Sequence, residues 1–133
     1  MINEREFYTV LDRWRGRAYD WHGANCCQFA ADIARCSGVD IDVPDFDNVG
    51  DAAEWLRSQG VKSLYGYLVK LFGKPVVPLQ AHRGFIAYRK GMGLEGSAIG
   101  AIERKAFFVG DNGLIELSLS VCACAFDPGK YRG

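Results

Sequence analysis

Trp21-His22-Gly23-Ala24-Asn25-Cys26-Cys27-Gln28-Phe29 places a cysteine pair at the start of a predicted helix. Asn25 is a favoured N-cap residue, and Gln28 three positions later completes the spacing of a capping box. Phe29, Ala30, Ile33 and Ala34 then recur at helical spacing. Cys26 therefore falls at the first helical position, beside unpaired backbone N–H groups and the positive end of the helix dipole. A thiol held there is expected to have a lowered pKa and more thiolate at neutral pH, as an attacking nucleophile requires. The competing reading is that the pair fills a core, since cysteine is among the most buried residue types.

Outward from this stretch, the chain divides into helices first and strands second. The spacing predicts a helix over residues 3–15, with Asn3 and Glu6 as a capping box and Phe7, Val10, Leu11 and Trp14 as its apolar stripe. The Cys26 helix is expected to run to Ser37 and stop at Gly38. An acidic loop, Val39 to Asn48, follows with Pro44 inside it. A short helix is expected over 51–58, capped by Asp51 and Glu54, and another over 63–72, closed by Gly73 and Pro75. The latter carries Tyr65, Tyr67, Leu68, Leu71 and Phe72, a broad apolar surface that suits a contact between subunits.

After Pro78 the period changes. Residues 85–89, 98–102, 106–109, 114–119 and 121–126 read as short strands rich in β-branched and aromatic side chains. Gly110-Asp111-Asn112-Gly113 is a hairpin signal, and Gly91-Met92-Gly93 marks another turn. The expected fold is a single α+β domain over residues 1–133, with N-terminal helices packed on a small C-terminal antiparallel β-sheet.

Composition narrows the function classes. Sixteen basic and sixteen acidic residues cancel, with no Lys/Arg stripe, so nucleic-acid binding is not expected. No apolar stretch approaches a membrane span, and the N-terminus has no apolar segment of a signal peptide. The five cysteines, Cys26, Cys27, Cys36, Cys122 and Cys124, are an odd number that argues against a disulfide framework. A metal module would need at least three of them to converge, with His22 or His82 as the available imidazole ligands, and no C-x-x-C knuckle is present. Cys122 and Cys124 are expected on the same face of a strand as small hydrophobes. Asp40, Asp42, Asp45 and Asp47 lack the EF-hand pattern and read as a solvated loop. No cofactor is expected.

The Trp-x-Gly-x-x-Cys element at the head of a helix, followed by a small antiparallel sheet, resembles the NlpC-type branch of the papain-like cysteine peptidases. Cys26 matches the nucleophile of that family, Asn25 stands where aspartate is usual, and Cys27 stands where serine is usual. Over nearly the whole chain the sequence also resembles a family of phage and prophage proteins encoded among siphophage tail genes. The shared features are Trp21 through Asp32, Gly38, Arg83-Gly84-Phe85-Ile86, Gly113-Leu114 and Cys122-Ala123-Cys124-Ala125-Phe126. The resemblance implies an NlpC-like fold, a place in the tail of a virion after synthesis in a host cytoplasm, and other tail proteins as partners.

The chain departs from the peptidase pattern at the base. The family's histidine at the start of the second strand corresponds to Ser97 or Ala98, and its Gly-Asp before the first strand to Gly84-Phe85. The third polar member of the catalytic set falls near Glu116. Only His22, in the loop before Cys26, and His82, before the first strand, remain as stand-in bases. Two functions follow as expectations. One is a structural or assembly component of a phage tail tip with a degenerate peptidase fold. The other is an active peptidase or amidase that cuts peptidoglycan stem peptides during genome entry, with Cys26 attacking the amide carbonyl and a helix-start N–H stabilising the oxyanion.

Overall fold

A computed structural model describes residues 2–91 and 97–132. Four helices come first: α1 (Glu4–Arg15), α2 (Cys26–Arg35), α3 (Val49–Ser58) and α4 (Leu64–Phe72). Five strands follow: β1 (Ile86–Lys90), β2 (Ser97–Glu103), β3 (Lys105–Gly110), β4 (Gly113–Leu117) and β5 (Cys124–Phe126). All pairings are antiparallel and the spatial order is β4-β3-β2-β1-β5. The expected α+β class is therefore observed, helices on one face of an antiparallel sheet.

Alternation along the strands separates two apolar layers, because successive side chains point to opposite faces. Ile86, Tyr88, Ile99, Ala101, Phe107, Val109, Cys124 and Phe126 join the helices in the main core. Ala87, Ala98, Ile102, Ala106, Phe108 and Ala125 form a smaller cluster on the outer face. On the helix side, Phe7, Val10, Leu11 and Trp14 of α1 are buried as the stripe predicts. The Trp14 indole donates to Asp32 Oδ2 of α2 at 2.8 Å, and Arg13 and Arg35 close on the same carboxylate at 3.0 and 2.8 Å. At the end of α1, an added Cβ on Gly113 would lie 2.0 Å from the Arg15 carbonyl oxygen, so glycine is what lets β4 approach that helix.

Several boundaries differ from the sequence reading. Helix α2 stops at Arg35, where Cys36 caps it and Gly38 turns with φ +80°. Helix α3 begins at Val49 because Asn48 Oδ1 accepts the Asp51 N–H at 3.0 Å, while Asp51 turns back to accept from the Asp47 N–H at 3.1 Å. The Asp51–Glu54 box is thus replaced by an Asn48 cap. Tyr67, Leu68 and Phe72 of α4 are buried in the chain's own core, so most of the surface expected to suit another subunit is already covered; Tyr65 stays exposed.

The last two strands are shorter than expected. Ser118 accepts from the Ser120 N–H at 3.3 Å and starts a turn of 3-10 helix over Leu119–Val121. That turn sends Cys122 into the outer cluster while Cys124 joins the main core. The two thiols therefore do not share one strand face. Gly110 pairs with Gly113 across the Asp111-Asn112 turn as the hairpin signal predicts. Met92 and Gly93 of the other expected turn lie outside the described residues.

Candidate functional site

The loop before α2 is built by a short antiparallel bridge. Asp20 N–H donates to the Ala24 carbonyl at 3.1 Å and Ala24 N–H returns to Asp20 at 3.0 Å, with Gly23 at φ +104° closing the loop between them. Asn25 is fully buried. Its Oδ1 accepts the Gln28 N–H at 2.9 Å, Gln28 Oε1 accepts the Asn25 N–H at 3.2 Å, and Asn25 Nδ2 donates to the Trp21 carbonyl at 3.0 Å. The expected capping box is present, and Asn25 also fixes the loop that carries Tyr19 and Trp21.

Opposite this loop the sheet opens. Strand β2 pairs with β3 only from Ala101–Phe107 to Glu103–Lys105. Beyond that, the first half of β2 stays with β1, whereas Phe108 to Gly110 stay with β4. At the fork, a Cβ on Gly100 would sit 2.0 Å from the Phe107 carbonyl oxygen, so this close approach also requires glycine. A cavity of about 400 Å³ occupies the opening, lined by Cys26, Tyr19, Trp21, Ile99, Phe108 and Asp111 among others. The backbone N–H of Tyr19 donates to the Gly110 carbonyl at 2.9 Å, joining the loop to the end of β3.

Cys26 is the first residue of α2 and is 3% exposed. Its pKa is lowered from the ordinary thiol value. The adjacent Cys27 thiol contributes most by hydrogen-bonding to it; the Ile99 backbone and the Tyr19 hydroxyl lower it further against the opposing effect of burial. Cys27 shifts the other way, because its proton is held toward Cys26 and burial disfavours a second charge. The pKa of Tyr19 is raised, first by burial and then by the neighbouring Cys26. The Tyr19 hydroxyl is buried and has no partner at full hydrogen-bond geometry, so it acts on Cys26 through proximity rather than through a well-formed bond.

The other candidate residues lie elsewhere. His22 is an exposed loop residue whose Nε2 is 3.5 Å from Asp45 Oδ2. Asp45 in turn accepts from Gln28 Nε2 at 2.7 Å, so His22 braces the loop and does not line the Cys26 cavity. His82 packs edge-on to Phe85 at 5.5 Å between ring centres and borders a separate cavity with Ser37 and Asp127. It precedes the end of β1 that meets Ile102, where the Gly84 N–H donates to the Ile102 carbonyl at 2.9 Å. The Cys26 cavity is at the other end of β2. Glu116 is exposed on β4 opposite Phe107 and is not part of the cavity wall.

Ala98, the alternative to Ser97 at the family's histidine position, is in the wall, and Ser97 hydrogen-bonds Tyr88 at 2.9 Å. The arrangement therefore combines an acidified thiol, a helix-start amide and an apolar cleft. Asp111 is the one carboxylate in the wall among the described residues. Tyr19 and Asp111 were not singled out by the sequence reading. Tyr19-x-Trp21 ahead of Gly23 was the available signal for the first, whereas Asp111 was legible only as part of a turn.

All five cysteines are free and buried. Among the described residues no three His, Cys, Asp or Glu side chains gather as a metal would need. The three converging thiols that a cysteine-ligated metal module requires are thus not brought together. Among the described residues no helix is long and apolar enough to cross a membrane.

A family profile described as "Domain of unknown function (DUF6950)" matches residues 2–127. No curated protein and no solved structure matches the chain.

Proposed function

The chain belongs to the DUF6950 family, and we propose that it is a structural or assembly component of a siphophage tail tip, built on an NlpC-like fold whose peptidase site has lost its general base. The observation that carries this reading is the position of the two histidines. His22 faces Asp45 and His82 faces Phe85, so neither imidazole lines the cavity that holds Cys26. General-base assistance is worth roughly 10²–10⁴-fold in rate, and thiol attack on an unactivated amide depends on proton transfer to the leaving nitrogen as well. The sequence resemblance supplies the tail context, with other tail proteins as partners and the virion as the site of action.

A second reading is favoured by one specific observation, the lowered pKa of Cys26 in an open cavity. On this reading the thiolate attacks the carbonyl of a peptidoglycan stem peptide, the C–N bond breaks as the amine takes a proton from water, and the hydroxide so formed hydrolyses the thioester, giving the free carboxylate and the thiol. The amide N–H groups at the start of α2 would receive the oxyanion.

Two measurements separate these readings. Purified peptidoglycan is incubated with the protein and with Cys26→Ser, and soluble peptides are followed by mass spectrometry. Particles from a lysate are purified and their proteins identified, with a strain lacking the gene examined for tail morphology. Presence in the particle, defective tails without it and no Cys26-dependent cleavage are expected. Cleavage that disappears in Cys26→Ser would establish the second reading, and intact tails without the protein would overturn the first.

A further inference from the structure

On the outer face of the sheet, away from the helices and from Cys26, lies a groove of about 670 Å³. Its apolar wall comes from Val77, Leu79, Leu119 and Cys122, and its rim from Arg104 and Lys105. Leu79 is 89% exposed and Val77 57%, the two most exposed large apolar side chains among the described residues. Arg104 is the single residue between paired Glu103 and Lys105 and has φ 58°, the left-handed region that a long side chain rarely occupies. That backbone cost is borne where two cations are held at a groove edge, and neither makes an ion pair among the described residues.

A complementary surface exists on the same chain. Residues 39–44 alternate in burial, with Val39 and Ile41 buried while Asp40, Asp42 and Pro44 are exposed. The alternation anchors one side in the main core and leaves an exposed ridge with two carboxylates and a proline ring, of which Asp42 and Pro44 border a cavity shared with Trp55 and Gln59. Asp42 has no ion pair among the described residues, and Asp40 has only Arg35 at 3.6 Å. The ridge is rooted in the helix-side core and the groove in the outer cluster, so the ridge of one molecule meets the groove of another rather than its own.

We infer that the outer-face groove docks the Asp40–Pro44 ridge of a second copy of this chain. The carboxylates of Asp40 and Asp42 face Arg104 and Lys105, and Pro44 lies against Val77 and Leu79. Because two different surfaces meet, the contact is head-to-tail and propagates into rings or short filaments instead of stopping at a symmetric dimer. A ridge of five residues, Asp40 to Pro44, falls well short of the roughly 20–30 residues a side of a stable interface, so association is weak and grows with concentration. Its ionic part weakens with added salt.

The test is sedimentation equilibrium of the full chain from micromolar to near-millimolar concentration, at low and high salt. The weight-average mass should rise with concentration, and less so at high salt. Leu79→Asp, Lys105→Glu and Asp42→Lys should each abolish the rise. The Asp42→Lys/Lys105→Glu pair should restore it by exchanging the charges. All three positions are exposed, and circular dichroism checks that each variant keeps its fold. A monomer mass throughout, or a rise unchanged in these variants, overturns the proposal. This readout is independent of cleavage activity and of presence in a particle.

Discussion

The Asn25 carboxamide donates through Nδ2 to the carbonyl of Trp21 at 3.0 Å while its Oδ1 accepts the N–H of Gln28 at 2.9 Å. One fully buried side chain thus ties the start of α2 to the loop that carries the cavity wall. An aspartate, the residue usual at this position in the NlpC-type pattern, could accept from Gln28 but in its ionised form could not donate to Trp21.

Asn25→Ala should therefore lose both the cap and the loop tie. A cap is worth about 0.5–2 kcal/mol and a buried carbonyl left without its donor about 1–3 kcal/mol, so a loss near 2–3 kcal/mol is expected in denaturant titrations. Asn25→Asp should cost more at neutral than at acidic pH, because only the protonated carboxyl can donate to the Trp21 carbonyl. A pH-independent loss would argue against that hydrogen bond.

The Cys26 thiol should alkylate with a midpoint below that of an ordinary cysteine, whereas Cys27 should stay unreactive in the folded protein. Tyr19→Phe removes a group that lowers the Cys26 pKa, so the midpoint should rise and thiolate at neutral pH should fall. The same substitution deletes a buried hydroxyl without a good partner, so stability should hold or increase. A fall in stability with no change in the alkylation profile would mean that Tyr19 serves packing alone.

Gly113→Ala should destabilise by about 3 kcal/mol, combining a φ of +115° with a Cβ 2.0 Å from the Arg15 carbonyl oxygen. The helix must move off β4 to admit the methyl group. A thermal midpoint equal to that of the wild type would show that α1 is not held as closely as described.

Alkaline pH should weaken the fold. Burial pushes the Cys36 and Cys124 thiols up to about 11 from an ordinary value of 9.0. A group that releases its proton more readily when unfolded adds stability that is complete below its unfolded pKa and is lost as pH rises toward its folded pKa. Urea midpoints should decline between pH 9.0 and about 11, whereas below 9.0 the lowered Cys26 pKa acts the other way and adds stability as pH rises toward 9.0. Cys124→Ala should make that decline shallower.

Much of the local architecture was legible because its causes are local. The capping box, the apolar stripe of α1 and the Asp111-Asn112 turn each depend on residues within a few positions of one another. The errors have equally local causes with competing solutions. Asn48 captured the Asp51 N–H that the Asp51–Glu54 reading had left free, and a serine turn at Ser118 cut a strand short and parted Cys122 from Cys124.

By itself the sequence determined an α+β order of elements and a thiol at the first position of a helix, since periodicity and capping are written in neighbouring residues. Only the tertiary structure decided what surrounds that thiol. The parting of β2 from β3, the placement of Tyr19 and Asp111 at the opening, and the removal of His22 and His82 to other surfaces depend on contacts between distant segments. Such contacts are set by how whole layers pack, and no spacing along the chain encodes them.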